Sequence, residues 1–199
     1  MNMQGYFADL YAASDDPYGV ASRWYERRKR RLLMASLPRQ RYRRGYEPGC
    51  GVGALTVELA ARCDQLLASD ACERAVALTR QGVIGRANVR VEQHSLPGQW
   101  PHYERLFDLV VLSEMSYFLE EEALAEVARC CDRSLDADGT LVACDWRAGF
   151  QQRRLGTERA HELLGALGLP LVARYEDEDF VLCIWARDGR SVAEREGIR

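Results

Sequence analysis

Glu47-Pro-Gly-Cys-Gly-Val-Gly53 decides the fold, because it places three glycines at alternate positions between a short β-prone run and an amphipathic run. This pattern predicts a strand, a glycine turn and the start of a helix. Glycine lacks the Cβ atom that would keep a ligand from the backbone, and it leaves amide groups facing that ligand. We therefore predict a ligand-binding loop here.

A second apolar run, residues 65–70, ends in the carboxylate of Asp70, about 20 residues after the loop, where nucleotide-binding folds place a ribose-binding acid. Loop and acid together predict a nucleoside cofactor. The loop reads G-x-G-x-G with Glu47 before it, which resembles the first motif of class I S-adenosylmethionine-dependent methyltransferases and differs from the G-x-G-x-x-G of dinucleotide enzymes. The alternative is that the glycines only form a tight turn and that Asp70 only caps the next helix.

Composition indicates a single domain, because 199 residues with 47% hydrophobic content suffice for one well-buried core. Seven scattered cysteines without metal-ligand spacing predict neither a disulfide framework nor a metal site. No apolar run approaches the roughly 18 residues of a membrane span, and acids stand where a signal peptide would be basic and then apolar. We therefore expect a cytoplasmic protein without a membrane partner. Lys29 is the only lysine among 27 basic residues, a bias towards arginine that hints at a GC-rich bacterial genome.

Charge is uneven along the chain, since ten basic residues lie between Arg23 and Arg44 and only one acid, Glu26. One interpretation is a nucleic-acid or other polyanion footprint. The pI of about 5.7 and the absence of interleaved aromatic residues favour the other, a solvated face of an arginine-rich helix. The acidic run 176–179 is predicted to be an exposed turn or, alternatively, an acidic pocket for a cationic substrate.

Strand-like and helical patterns alternate along the chain. The predicted strands are residues 43–47, 65–70, 89–93, 107–112, 139–145, 169–175 and 180–187. The predicted helices are residues 22–36, 54–62, 72–81, 120–135 and 157–167. Alternation predicts an α/β, Rossmann-like fold: a seven-stranded, mostly parallel sheet with a C-terminal antiparallel hairpin, helices on both faces and ligand at the strands' carboxyl edge. We divide the chain into a helical cap (1–42), a methyltransferase domain (43–187) and a flexible tail (188–199).

The segment Ser113-Glu-Met-Ser-Tyr-Phe-Leu119 resembles the S-E-x-x-Y-[FY]-L signature of the nodulation protein S (NodS-like) methyltransferases. The resemblance continues in order through nearly the whole chain, in Trp24-Tyr-Glu-Arg-Arg-Lys29, Glu47-Pro-Gly-Cys50, Ala68-Ser-Asp70, Ser134-Leu-Asp-Ala-Asp-Gly139 and Glu178-Asp-Phe-Val-Leu182. It implies a bacterial N-methyltransferase that uses S-adenosylmethionine and, in the named case, methylates the freed amine of a deacetylated chitooligosaccharide. The sequence departs from the family at Ser95, where an acid is usual, and at Phe118, where a second tyrosine is common.

The resemblance to the superfamily implies roles for the donor-binding residues. Glu47, Gly49, Gly51 and Gly53 are assigned to the methionine end of the donor, Asp70 to the ribose, and Ser95 with Leu96 to the adenine. Tyr25 and Arg27 are candidate lid contacts, Arg27 as a partner of the donor carboxylate, with core packing and surface exposure as the alternatives. The predicted donor site also includes Cys50, Ala71 and Ser113.

For methyl transfer to an amine, one carboxylate or phenol that orients the amine and accepts its proton would suffice. Glu114 and Tyr117 are the candidates; the alternatives are a helix cap or a contact to the cofactor's amino group for Glu114, and plain packing for Tyr117. Phe118, Asp145 and Trp146 are predicted to line the acceptor pocket with Tyr117. The three histidines, His94, His102 and His161, are predicted to lie in loops or on helix surfaces.

The predicted partner is a small-molecule or oligosaccharide amine, and the oligomeric state is left open. Two alternatives compete with this function: a methyltransferase acting on nucleic acid or protein, and a non-catalytic S-adenosylmethionine-binding protein. The first would need a basic, aromatic-lined acceptor face, and no N-P-P-Y or D-P-P-Y signature follows the fourth strand. The second would be favoured by a broken cofactor loop, whereas the loop glycines and Asp70 are all present.

Overall fold

A computed structural model describes residues 3–101 and 106–199, and its strands and helices alternate as the sequence predicts. The strands are β1 (Tyr42–Pro48), β2 (Cys63–Asp70), β3 (Val89–Gln93), β4 (Phe107–Ser113), β5 (Leu135–Trp146), β6 (Leu171–Glu176) and β7 (Phe180–Ala186). The helices are α1 (Met3–Ala13), α2 (Trp24–Ser36), α3 (Ala54–Ala60), α4 (Glu73–Gly82), α5 (Glu121–Ser134), α6 (Thr157–Gly165) and α7 (Val192–Arg195), with a 3₁₀ turn at Ser116–Phe118. His102 lies outside the described residues.

The seven strands form one sheet in the order β3-β2-β1-β4-β5-β7-β6. Strands β1 to β5 pair in parallel, and β7 pairs antiparallel with both β5 and β6. The predicted fold class, a mostly parallel sheet with a C-terminal antiparallel hairpin, is therefore confirmed. The hairpin enters the sheet with its second strand, β7, beside β5, so that β6 forms the edge.

Strand β4 shows why the sheet is covered on both faces. Its residues Phe107 to Leu112 are all buried, as expected for a strand with helices on either side. Side chains alternate between faces along a strand. Val110 and Leu112 pack in the cluster with α5 and α6, whereas Leu109 and Val111 pack in the cluster with α2 and α3. This double burial fixes the register of β4 and hence the position of the residues that follow it.

Strand β5 begins four residues earlier than predicted, at Leu135 instead of residue 139. Leu135 pairs with Phe107 and Thr140 pairs with Leu109, so the polar residues between them form an irregularity in the strand. Asp136 and Asp138 belong to this irregularity and bind Arg43 at 3.1 and 2.8 Å. Their polarity suggested a loop, but the ion pairs hold the segment against the sheet.

Several arginines of the cluster between residues 23 and 44 are paired with acids from elsewhere in the fold. Arg28 binds Asp177 at 2.9 Å, Arg30 binds Glu58 at 3.0 Å, and Arg39 binds Asp138 at 2.7 Å. The acidic run 176–179 therefore supplies a partner to α2. Burial alone would raise the pKa of Asp177, but hydrogen bonds from Arg28 and Tyr175 lower it to about 2. These pairs neutralise part of the charge that a polyanion would bind.

The last residues, predicted as a flexible tail, contain the short helix α7. A reciprocal capping box begins it: the Ser191 hydroxyl accepts from the Glu194 amide, and the Glu194 carboxylate accepts from the Ser191 amide. Arg195 binds Asp188 at 2.6 Å. The division into cap, domain and tail stays a prediction. Within residues 3–101 and 106–199, no helix has both the length and the apolar character needed to cross a membrane.

Candidate active site at the carboxyl edge of the sheet

The glycine loop joins β1 to α3, and all three of its glycines have positive φ angles. Gly53, at +79°, is the residue before α3, and a Cβ atom there would lie 2.9 Å from the Thr79 side chain and 3.1 Å from its backbone. Only glycine fits this left-handed position at close approach to α4. The Thr79 hydroxyl also donates to the Gly51 carbonyl at 2.8 Å, so α4 holds the loop in place.

Asp70 ends β2 and is fixed by two backbone amides. Its carboxylate accepts from the Gly51 amide at 3.0 Å and from the Cys72 amide at 2.9 Å. Burial raises the pKa of Asp70, and the two amides oppose that rise. Loop and acid, 19 residues apart in sequence, are therefore in direct contact. Cys72 is the residue before α4, so Asp70 bonds the amide that precedes the helix and caps none of the amides of its first turn.

Glu47 is the last acid of β1 and is almost fully buried, with 3% of its surface exposed. Burial raises the pKa of its carboxyl to about 8. Its Oε2 atom accepts no hydrogen bond within the described residues. A buried carboxyl oxygen without a partner beside a glycine loop suits a cationic group of a ligand, because such an oxygen is costly to leave unpaired.

Helix α1, which the sequence patterns did not identify, covers this loop. Tyr11 is buried against Cys72 and Ala75 at the start of α4. Its hydroxyl lies 3.1 Å from the position that a Cβ atom on Gly51 would occupy. The Phe7 ring contacts the Phe118 ring edge to face at 5.0 Å. The two aromatic residues stand at i and i+4 of one helix, which was the signal available in the sequence.

The other predicted donor residues surround the loop less closely. Cys50 is buried beside Thr79, with 3.6 Å between Sγ and the hydroxyl oxygen. The Ala71 carbonyl accepts from the Gln93 side chain at 3.0 Å. Ser95 is exposed, and its amide donates to the Gln99 side chain at 2.7 Å. Two residues complete this set: Leu96 packs against the core, and Ser113 is half-buried at the end of β4.

The predicted lid residues of α2 take different positions. The Tyr25 ring packs towards Phe180, with 6.4 Å between ring centroids, and burial raises the pKa of its phenol. Arg27 is exposed, and its guanidinium donates to the Ser22 carbonyl. Tyr25 thus packs against the sheet and Arg27 lies on the surface, and their contact with the donor stays a prediction.

Glu114 follows β4 and adopts φ +58°, the only positive φ of a non-glycine residue in the described part of the chain. Such a conformation costs energy and persists only where the surroundings enforce it. The Oε1 atom accepts from Lys29 Nζ at 2.7 Å. The Oε2 atom accepts from the Tyr117 hydroxyl and from the Trp146 amide, the latter at 3.4 Å. Glu114 and Tyr117, named together from the sequence, are hydrogen-bonded to each other.

Lys29 and Glu26 are site residues that the sequence reasoning missed. Lys29 is 3% exposed, and its ammonium lies between Glu114 and Glu26, 3.1 Å from Glu26 Oε2. Burial alone would lower the pKa of Lys29, but the Glu114 and Glu26 carboxylates raise it above its ordinary value. For Glu114, burial acts in the opposite direction and raises the pKa, while the Lys29 ammonium lowers it.

Aromatic rings line the space beside Glu114. The Tyr117 ring contacts Phe118 at 4.8 Å and Phe150 at 5.2 Å, and the Trp146 ring stacks on Phe150 at 6.1 Å. The Arg153 guanidinium lies over the Tyr117 ring at 5.0 Å. Of the predicted acceptor residues, Tyr117, Phe118 and Trp146 are therefore brought together. Phe150 was not predicted, because it lies in a loop after β5 without a pattern.

Asp145, the fourth predicted acceptor residue, is fully buried and binds His161 on α6, with 3.2 Å between Oδ2 and Nε2. The prediction that His161 lies on a helix surface is wrong. The positions Thr157, Ala160, His161 and Leu164 form one buried stripe at helical spacing, and His161 occupies it. Burial alone would lower the pKa of His161, but the Asp145 carboxylate raises it to about 9.

The His161 and Asp145 pair predicts a pH-dependent stability. Since folding raises the pKa of His161 from about 6.5 to about 9, the pair's contribution is complete below pH 6.5 and is lost as the pH rises through 9. The difference in unfolding free energy between wild type and His161→Gln should therefore shrink by about 3 kcal/mol over that range. Urea denaturation at several pH values measures it. In an Asp145→Asn background the pH dependence should disappear, and a difference that is the same at every pH contradicts the assignment.

The fold and this edge of the sheet define the class: class I S-adenosylmethionine-dependent methyltransferases. The model of a family described as "Methyltransferase domain" matches residues 46–139. A Pseudomonas syringae protein assigned as a methyltransferase has a crystal structure that is 41% identical, with a TM-score of 0.74, covering 83% of this chain and 100% of that one. The N-methyltransferase NodS from Bradyrhizobium japonicum WM9, in complex with S-adenosyl-L-homocysteine, is 25% identical with a TM-score of 0.80, covering 94% and 98%.

A curated relative, nodulation protein S of Sinorhizobium fredii, is 32% identical over 122 residues, which are 58% of this chain and 53% of that protein. The chain thus spans about half the length of the curated relatives that it matches. The chain belongs to the class I methyltransferases and is similar to the NodS proteins. This membership confirms the predicted enzyme class and the predicted cofactor, S-adenosylmethionine.

Proposed function

We propose that the protein transfers the methyl group of S-adenosylmethionine to an amine of a small molecule or of an oligosaccharide with a free amino group. The observation that carries this proposal is Glu114, a carboxylate in a strained conformation with one oxygen turned to a tyrosine hydroxyl and to aromatic rings. The relatives that bear the names nodulation protein S and N-methyltransferase NodS support the choice of an amine.

The proposed contacts to the donor come from the glycine loop and from the ends of the neighbouring strands. Glu47, whose buried Oε2 is unpaired, would receive the ammonium group of the methionine end. Gly49, Gly51 and Gly53 would let that end approach the backbone. Asp70, held by two amides, would bind the ribose hydroxyls. Ser95 and Leu96, after β3, would lie along the adenine.

In the proposed reaction, the protein mainly positions the amine and the donor. When bound, S-adenosylmethionine supplies a carbon that its sulfonium has activated. The neutral amine forms the new nitrogen–carbon bond with its lone pair, the carbon–sulfur bond breaks, and the electron pair of that bond stays on sulfur. An acceptor that arrives as an ammonium ion must first lose one proton, which Glu114 would accept and pass to solvent. Its role is thus to orient and deprotonate the amine.

The aromatic rings beside Glu114 support a cationic or sugar-like acceptor. Ring faces attract an ammonium ion, and the neighbouring carboxylate adds a full opposite charge. Trp146, 36% exposed, lies at the rim, where an acceptor larger than a single amine would make contact. These features fit an amino group carried on a sugar ring.

The test uses a tetramer of glucosamine as acceptor and a tetramer of N-acetylglucosamine as the matched control. We expect mass spectrometry to show methylated glucosamine tetramer and unmodified N-acetylglucosamine tetramer, because only the first has free amines. Methylation of both tetramers would point to a hydroxyl acceptor. Binding of S-adenosylhomocysteine without methylation of any amine in a wider panel would favour the non-catalytic alternative.

Nucleic acid is not favoured as the acceptor, because Arg28, Arg30 and Arg39, which would contribute to its footprint, are paired with acids. We place the enzyme in the cytoplasm. Its seven cysteines are all buried free thiols, which fits a reducing compartment.

A further inference from the structure

Lys29 is unusual in this chain in both its residue type and its burial. It is the only lysine among 27 basic residues, so arginine fills the other 26 basic positions. It is also 3% exposed, whereas lysine side chains are almost never fully buried unless paired. The arginines that the structure describes are exposed or only partly buried, whereas Lys29 is buried.

The surroundings of Lys29 come from three elements of the fold. Glu26 and Tyr25 belong to its own helix, and the ammonium lies 4.9 Å from the centre of the Tyr25 ring. Glu114, after β4, is its nearest acid at 2.7 Å. Cys144 on β5 lies beside it. The cluster of Glu26, Lys29 and Glu114 holds two carboxylates and one ammonium, and so carries one negative charge in excess.

We propose that Lys29, itself held by Glu26, is a positioning residue that keeps Glu114 ionised and turns its Oε2 atom towards the acceptor amine. This inference rests on the proposed function. Lys29 occupies Oε1, which leaves Oε2 for Tyr117, for the Trp146 amide and for the incoming amine. The excess negative charge matches the single positive charge of an ammonium acceptor.

The charges around Glu114 require such a partner. Burial raises the pKa of Glu114, and the Asp145 carboxylate raises it further. Asp145 has its own counter-charge in His161, whose pKa of about 9 keeps the imidazole protonated at neutral pH. The Tyr117 hydroxyl stabilises the Glu114 carboxylate by donating to it, but carries no charge. Among these groups, Lys29 alone brings a positive charge into contact with Glu114.

An ammonium suits this position better than a guanidinium. It is a compact point charge with three donors, so one nitrogen contacts both carboxylates. A guanidinium is a planar fork that would need a wider cavity between α2 and β4. The exclusion of arginine from this one position, in a chain that uses arginine at the other 26, follows from that geometry.

The test compares Lys29→Met and Glu26→Gln, with Arg31→Met as the matched control. Arg31 is exposed on the same helix, so its replacement removes a positive charge without touching the cluster. In protein carrying ¹³C-labelled glutamate and saturated with S-adenosylhomocysteine, the Glu114 carboxyl is titrated by NMR and identified by its loss in Glu114→Gln. We expect its pKa to rise by about one unit or more in Lys29→Met. In Glu26→Gln the pKa of Glu114 should fall, because Lys29 then forms an ion pair with Glu114 alone.

The same shifts should appear in the acid limb of kcat/KM for the glucosamine tetramer, with S-adenosylhomocysteine affinity within about threefold of wild type. Opposite shifts in the two variants are not expected from a merely structural role. An unchanged Glu114 pKa in both variants overturns the proposal. If Lys29→Met does not fold, the direction of the Glu114 pKa shift in Glu26→Gln tests the proposal: a fall supports it, and a rise overturns it. If the wild type methylates no amine, the proposed function fails, and the carboxyl titration still decides whether Lys29 keeps Glu114 ionised.

Discussion

Asp70→Ala is expected to weaken binding of S-adenosylhomocysteine by about 100-fold, as measured by calorimetric titration. The carboxylate holds the Gly51 and Cys72 amides and, in the proposed donor site, the ribose hydroxyls. Hydrogen bonds to a charged group contribute about 1.5–3 kcal/mol each, and about 1.4 kcal/mol corresponds to a tenfold change in affinity. Loss of the loop contact and of the ribose contact together gives the expected effect.

Asp64→Ala is the matched control for this measurement. Asp64 lies near the start of the same strand, β2, where its half-exposed carboxylate pairs with Arg41. The Asp64→Ala variant removes an equal charge from the opposite edge of the sheet. The affinity for S-adenosylhomocysteine should therefore stay within about threefold of wild type. Equal affinities for wild type and Asp70→Ala would exclude the donor site described above.

Glu114→Gln is expected to lower kcat for the glucosamine tetramer by about 100- to 1000-fold, within the roughly 10²- to 10⁴-fold that a proton-accepting group contributes. The amide keeps the shape of the side chain but neither accepts the amine's proton nor balances Lys29. Donor affinity should stay within about threefold of wild type, because Glu114 belongs to the acceptor side of the site. In the wild type, kcat/KM should fall at low pH as Glu114 becomes protonated.

Glu122→Gln controls for the loss of a carboxylate in the same region, since Glu122 is exposed on α5. Steady-state rates of both variants with the same acceptor distinguish a local from a general effect. A Glu114→Gln enzyme with an unchanged kcat would remove Glu114 from the reaction and leave it the role of a structural ion-pair partner.

Much of the donor side of the site could be predicted from the sequence, because its signals are local. The glycine loop, the strand before it and Asp70 lie within 28 residues, so their spacing can be read locally. Parallel strands bring their carboxyl ends to one edge, and topology then places Asp70 against Gly51. The buried strand β4 likewise indicated where Glu114 and Tyr117 would lie.

The acceptor side could not be predicted to the same extent, because its contacts join distant parts of the chain. Lys29 and Glu114 are 85 residues apart and Phe7 meets Phe118 across the site, and no local pattern encodes either contact. His161 is different, since its place in a buried helical stripe was visible in the sequence. Its polarity suggested a surface position, but the unforeseen partner Asp145 makes its burial possible.

The position of β7 has a consequence for how the chain folds as it is synthesised. All seven residues of β7 are buried, and the strand lies between β5 and β6, although it is the last strand along the chain. Until residue 186 has left the ribosome, β5 presents an unpaired apolar edge. Nascent chains stalled before that point should therefore bind chaperones or aggregate, whereas full-length chains should not. The strand farthest in sequence from the glycine loop thus decides when the apolar edge of β5 is covered.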